Sequence, residues 1–363
     1  MDKYHWLEQK NLEYWQLGSI TRLARCAIFC FLAIYPTFAA YADNEQTAPG
    51  KSFSIYFEND VFSTTDQHYT NGARLTYMYS RDYIPAWGKR FASWANMCKE
   101  KENCFSPQFG LSLGQNMYTP GDIKTTQLIP NDRPYAGWLY AGFFVNLVKD
   151  SRLHYFELDI GIVGPSSLAE KTQKTIHNWI NVTEPMGWDN QLKDEPAINF
   201  LYQYKTQSCD VFGMNQLRYF NCINHAGFSW GNVITQANLG TTLRFGYNIP
   251  DDFGPDKINM KSMESSQSKG VTKNIVEFYL FASVDGRIVC HNIFLDGNTF
   301  RDSHSVNKKN LVGDFDLGFV FRCNKHKITY RFTTRTREFE GQEKMHKFGS
   351  MVYTYEIRGK NHD

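Results

Sequence analysis

Between positions 58 and 72 the chain reads Glu58-Asn59-Asp60-Val61-Phe62-Ser63-Thr64-Thr65-Asp66-Gln67-His68-Tyr69-Thr70-Asn71-Gly72. Amide, carboxylate and hydroxyl oxygens at this density suit a hard cation such as calcium, or the orientation of a reacting group. The same residue types build ordinary polar turns, so the composition is equally that of a hairpin loop. A second candidate lies further on, where Gln173 and His177 are four residues apart and would share one face of a helix. An imidazole with an ordinary pKa of about 6.5 can take a proton from water, which ester hydrolysis requires. The plainer reading of a single histidine is a residue resting on a rim.

Other reactive types are present. His68, His291 and His304 are further possible bases, and Asp296, Asp302 and His304 form a polar cluster that suits either a metal or a solvated loop. The pattern Gly-x-Ser-x-Gly occurs as Gly110-Leu111-Ser112-Leu113-Gly114 and as Gly227-Phe228-Ser229-Trp230-Gly231. Both lie within alternating strand patterns, whereas a serine nucleophile of this type needs a strand-to-helix turn. They are read as small-residue strand faces, which favours water as the nucleophile.

The elements that must position these groups read as strands. Phe53, Ile55 and Phe57 alternate with Ser52, Ser54 and Tyr56, and His154, Phe156, Leu158, Ile160 and Ile162 alternate with Tyr155, Glu157, Asp159 and Gly161. The asymmetry recurs over 237–248 and 328–333, with charge on one face and hydrocarbon on the other. Candidate strands are 51–60, 69–80, 106–117, 136–149, 153–163, 194–207, 223–234, 237–248, 275–291, 308–323, 326–338 and 346–357, an even number, as a closed single-chain bacterial barrel requires. Their lengths suit a membrane crossing, and abundant Tyr, Trp and Phe suit interfacial girdles. The expected fold is all-β, an antiparallel transmembrane β-barrel of about twelve strands. Over residues 167–181 the period of two is lost, and a helix capped by Ser166 or Ser167 is expected in that loop. The stretches 86–99, helix-compatible, and 260–272, rich in Ser, Lys and Gln, read as excursions from the wall.

Cys26 to Phe38 is an apolar run behind Arg22 and Arg25, followed by Ala40-Tyr41-Ala42. This reads as a signal peptide over 1–42, leaving 43–363 as the barrel domain. The formal charge is +2, and removing 1–42 leaves +1, which gives no reason to expect nucleic acid as a partner. Six cysteines remain, adjacent in sequence as Cys98 with Cys104, Cys209 with Cys222, and Cys290 with Cys323, and an oxidising compartment would allow disulfides among them.

At this point a resemblance becomes specific. Glu58-Asn59-Asp60, Tyr69-Thr70-Asn71-Gly72, Asn131-Asp132-Arg133-Pro134-Tyr135-Ala136-Gly137-Trp138, Gly161-Ile162-Val163-Gly164-Pro165 with His177 beyond, and Asp251-Asp252-Phe253-Gly254-Pro255 occur in order along the mature chain. Together they resemble the outer-membrane lipid A 3′-O-deacylase family. The resemblance implies a twelve-stranded barrel in the bacterial outer membrane, with a helix in an extracellular loop and an active site facing the outer leaflet. It implies calcium-dependent hydrolysis of the 3′-linked acyloxyacyl ester of lipid A, with lipopolysaccharide and membrane lipid as partners and no obligatory protein partner. By position it implies His177 as catalytic base, Asn59, Asp60 and Thr70 as a polar and metal-associated cluster, Gln173 as helix neighbour and Glu184 as a further acidic position. After Tyr118-Thr119-Pro120 it implies a Lys-Arg pair that this chain lacks, which leaves Lys124 and Arg133 as candidate phosphate ligands. A non-catalytic channel or scaffold barrel and an outer-membrane phospholipase are the competing functions.

Overall fold

The computed structural model describes residues 51–59, 68–79, 106–213, 217–255 and 276–357. The expected leader, Asp60, the excursions at 86–99 and 260–272, Cys98, Cys104 and the polar tail after Ile357 lie outside these residues. The barrel unit comprises Gln46–Glu170 with Met186–Asp363, and the described residues Lys171–Pro185 fall in a second unit.

Alternation of apolar and polar residues produces twelve strands. They are β1 (Lys51–Asn59), β2 (His68–Met78), β3 (Ser106–Thr119), β4 (Ala136–Lys149), β5 (Arg152–Val163), β6 (Glu195–Phe212), β7 (Arg218–Gly231), β8 (Ile234–Tyr247), β9 (Val276–Asn292), β10 (Leu311–Cys323), β11 (His326–Arg335) and β12 (His346–Ile357). Each pairs antiparallel with its sequence neighbours, and β1 pairs with β12 from Lys51↔Ile357 to Asn59↔Gly349, so the sheet closes without an edge. Among the described residues two α-helices interrupt the connections, α1 (Ala169–Ile180) and α2 (Ile293–Asp296). Neither is long and apolar enough to cross a membrane.

The barrel is inside-out relative to a water-soluble one. Leu239 is 70% exposed and Leu317 65% exposed on the outer face, while Arg244 and Asp314 are fully buried in the lumen. Buried charges are tolerable only when paired and hydrogen-bonded. The lumen meets that demand: Arg74 binds Glu157 at 2.8 Å, Ser112 and Tyr155 donate to the same carboxylate, Arg331 binds Asp316 at 2.9 Å, and Arg335 binds Asp314 through two nitrogens. Apolar groups facing outwards and charges facing inwards are the arrangement lipid imposes.

The two ends differ. The strand ends that carry the chain termini also carry the tight connections at Asp150-Ser151 and Asn324-Lys325, and an amphipathic belt surrounds them: His154 with Tyr202 and Tyr204, Tyr219 with Tyr247, and His326 with Tyr353 and Tyr355. Such side chains settle at a membrane–water boundary. The opposite end carries the connections 120–135, 164–194, 293–310 and 336–345. The terminal end also carries the connections 79–105 and 248–275, whereas all of the opposite connections except 60–67 and 232–233 run to ten residues or more, and the end richer in long loops is the outward one.

Beneath the terminal end the lumen is plugged by the connection after β8. Lys205 and Gln207 donate to the carbonyls of Phe253 and Asp252 at 3.0 and 2.6 Å, Arg331 donates to Pro255 O at 2.8 Å, and the Asp252 carboxylate takes Arg244 and Lys327. Phe253 packs on Val148 and Leu153. Gly254, at φ 78°, allows the reversal that seats this segment. What remains beside the plug is a cavity of about 40 Å³.

Among the described residues neither pair of neighbouring cysteines is joined. Cys323 pairs in register with Val276, at the opposite end of β9 from Cys290, so that couple is excluded by geometry. Cys209 and Cys222 are close but are free thiols. Cys209 sits in a bulge at φ 59°.

Candidate active site

The first hairpin is deformed where its polar residues gather. Tyr69 pairs with Tyr118 and Asn71 with Met117, so Thr70 is an extra residue in β2, a bulge opposite the end of β1. Bulges re-aim side chains, and this one stands beside the Asn59↔Asn71 pair. Asn59 is half-buried at the outward-facing end of β1, and the carboxylate of Glu58, one residue deeper, accepts from Ser350 of β12 at 3.2 Å.

The β5–β6 connection departs from the same end. Gly164, at φ 109°, turns the chain sharply, and the pocket its missing side chain would fill is occupied by the main chain of Lys193 and Asp194. The serines expected to cap α1 do other work. Ser166 donates to Asp194 at 2.7 Å and Ser167 to Gly164 O at 2.5 Å, forming a 3-10 turn. Leu168 at φ 60° then separates that turn from the helix, which starts at Ala169. Ala169 packs with Met117, Tyr135 and Trp188.

At the other end of α1 the helix closes with a Schellman motif. Asn181 adopts φ 56°, its N–H meets Asn178 O at 3.4 Å, and the N–H of Val182 meets His177 O at 3.0 Å. The reversal carries Thr183 back over the last turn, where its carbonyl oxygen lies 2.5 Å from His177 Nδ1. A carbonyl only accepts, so Nδ1 carries the proton and Nε2 of the neutral ring keeps its lone pair. Gln173 is one turn before His177 on the same face, and Lys174 reaches Glu184 at 3.7 Å with both side chains partly exposed.

Of the residues expected to act, Asn59 and Thr70 are therefore adjacent along the main chain at one hairpin end. Gln173, His177 and Glu184 belong to the second unit. Asp60 lies outside the described residues. Among the described residues no three acidic, imidazole or thiol side chains converge as a metal cage. The donors around Asn59 are hard oxygens, the kind calcium takes, and Glu184 is exposed, with only a loose surface pair to Lys174.

The two candidate phosphate ligands separate clearly. Lys124 is exposed in the β3–β4 connection. Arg133 is 1% exposed; it binds Glu338 at 3.0 Å and lies over the rings of Tyr118 and Phe339, so its charge serves the protein interior. Burial pushes the Glu338 carboxyl up, but Arg133 and Arg335 outweigh it and hold the pKa at about 2. The neighbouring Asp132 accepts from Gly121 N at 2.7 Å, and its carbonyl accepts from His304 Nε2 at 2.8 Å. The motif around Arg133 is thus a clamp between loops.

The remaining rival sites also resolve into structure. His304 is held by that clamp, while Asp296 binds Lys308 at 2.9 Å and His291 at 3.3 Å, so Asp296, Asp302 and His304 do not form one cluster. Ser112 and Ser229 sit inside β3 and β7, donating to Glu157 and to Ile234 O. A hub that the sequence did not signal is Glu195, which accepts from Asn232, Asn298 and the main-chain N–H groups of Thr299 and Phe300, tying three outward connections together.

The family description outer membrane protein LpxR matches residues 26–357, nearly the whole chain. The chain belongs to the LpxR outer membrane protein family. Its location is accordingly the bacterial outer membrane. Among solved structures the LpxR family fold is found in LpxR from Salmonella typhimurium, at 17% identity and a TM-score of 0.67, covering 84% of this chain and 100% of that one. The β domain of the Bordetella autotransporter BrkA also matches, at 10% identity and a TM-score of 0.42 over 85% of this chain and 99% of that one. Curated protein sequences return no match.

Proposed function

We propose that this LpxR family member hydrolyses the 3′-linked acyloxyacyl ester of lipid A in the outer leaflet, with His177 as general base. The observation that carries the reading is the Nδ1–H donation from His177 to Thr183 O, which leaves Nε2 as the acceptor. Water gives its proton to Nε2 as its oxygen attacks the acyl carbonyl. The imidazolium then returns that proton to the sugar oxygen as the ester C–O bond breaks, releasing a free acid and a hydroxyl. Gln173, one turn away, orients groups on the same helix face. Asn59, at the end of β1, would supply an oxygen donor, and by the family resemblance Asp60 and Thr70 would join it. We include calcium dependence on the chemistry of those donors; when bound, the ion would supply Lewis-acid stabilisation of the oxyanion. Lys124, exposed and outward, is the residue suited to a lipid A phosphate.

The occupied lumen and the seated plug speak against a channel. The test is mass spectrometry of lipid A from cells with and without the protein. Loss of the 3′ acyloxyacyl group is expected, and His177→Ala is expected to abolish it while the protein keeps heat-modifiable folding. An active His177→Ala protein would remove this base from the mechanism. Release of fatty acid from glycerophospholipid alone, in the same preparation, would replace lipid A as the substrate.

A further inference from the structure

A depression in the outer wall, away from the first hairpin, has the chemistry of a lipid site. It occupies about 690 Å³ across β8, β9, β10 and the start of the β11–β12 connection, within the roughly 300–1,000 Å³ of small-ligand sites. Its floor is two glycines side by side, Gly286↔Gly313, flanked by Leu239, Ile288 and Leu311 on the lipid-facing side. Neither glycine is required by the fold. A Cβ at Gly286 would meet nothing within 4 Å, one at Gly313 only ordinary contacts at 3.7 Å, and neither has a positive φ. At Gly110 and Gly114, by contrast, the rings of Phe144 and Tyr140 fill the space.

The outward end of this groove is cationic. Lys309 and Arg337 line it, and neither side chain forms an ion pair among the described residues. Hydrocarbon below and two positive charges at the headgroup level complement a lipid with acyl chains and an anionic head. A phospholipid in the inner leaflet is excluded, because the cations stand at the extracellular end.

We infer that this groove holds one phosphorylated glycolipid of the outer leaflet, with an acyl chain over Gly286 and Gly313 and a phosphate at Lys309 and Arg337, as a bound lipid that is not turned over. The inference rests on the outer-membrane location and not on the proposed deacylation. A photo-crosslinking amino acid placed at Leu239 in cells, with detection of lipopolysaccharide on the adduct, tests it; the same probe at Leu317, outward on β10 but outside the groove, is the control. Crosslinking at Leu239 is expected to fall on the order of fivefold for each of Lys309→Gln and Arg337→Gln. Gly286→Ala, whose Cβ enters the groove without meeting protein, should lower it in the same direction. All three variants should leave the Leu317 signal, heat-modifiable folding and lipid A composition unchanged. A Leu239 yield unaltered in these variants means ordinary surrounding lipid and overturns the inference, as does an adduct containing only glycerophospholipid. Because the readout is binding, it can fail while deacylation persists, and the reverse.

Discussion

Glu338→Gln tests whether paired charge holds the outward end of the barrel together. Glutamine keeps the size of the side chain and an oxygen for Arg133 and Arg335, but removes the charge. In the folded protein those two guanidinium groups hold Glu338 at about 2, against 4.5 when free. At about 1.4 kcal/mol per pKa unit, that difference is worth roughly 3 kcal/mol at neutral pH. The sign follows from the direction of the shift. A depressed carboxyl stabilises the fold above its unfolded value and loses that contribution as pH falls through the folded one. The assay is the midpoint of urea unfolding in detergent micelles, followed by heat-modifiable mobility at several pH values. Wild type should exceed the variant by roughly 3 kcal/mol at pH 7, and the gap should close between about pH 4.5 and pH 2. A gap independent of pH across that window would mean that the variant acts through shape, and would refute the electrostatic account of the clamp.

Chelation with EDTA should stop lipid A deacylation, and added calcium should restore it, read by mass spectrometry of lipid A; full activity after exhaustive chelation would sink calcium dependence. In a planar bilayer the wild-type protein should carry no resolvable current, because the 251–255 segment fills the lumen. Asp252→Ala, which leaves Arg244 and Lys327 buried without their counter-charge, should cost on the order of 3–5 kcal/mol of stability in the same unfolding assay. Gly137→Val would place a Cβ 2.1 Å from Ser167 Oγ and 2.3 Å from Ala169 Cβ, so the base of α1 must shift. That overpacking should cost about 1–3 kcal/mol and lower deacylation more than barrel folding, measured on one preparation.

The wall was legible because lipid imposes a strict period of two, and each proposed strand is present within a few residues. The largest departures, five residues each, fall at the end of β6 and the start of β7, where the two strands pair further than expected. The alternation of β6 lapses at Ser208-Cys209-Asp210, where the sequence suggested an end near 207, yet the strand continues to Phe212. Cys209 at positive φ absorbs the slip as a bulge, and the ladder resumes at Val211↔Phe220. A local pattern cannot reveal such continuation, because the decision belongs to the partner strand. The same limit explains Arg133. Its motif marks an important residue, but Glu338 is 205 positions away, and only the closed barrel brings them together.

The histidine shows the opposite case, a device written locally but in the main chain. No side chain near position 177 announces an orienting partner, so a scan for carboxylates beside histidine finds nothing. The signal is conformational: an asparagine at 181 and a β-branched residue at 182, just past a helical run, are compatible with a left-handed stop and a sharp return. Given that stop, the carbonyl of Thr183 falls on Nδ1 whatever side chain residue 183 carries. Substituting Thr183 should therefore leave the tautomer intact, whereas replacing Asn181 with a β-branched residue, which resists positive φ, should displace the carbonyl and free the ring to rotate. Asn181→Val should then reduce deacylation while Thr183→Ala preserves it, measured on lipid A at equal amounts of folded protein. Equal activity in both would show that the imidazole is positioned by something other than this turn.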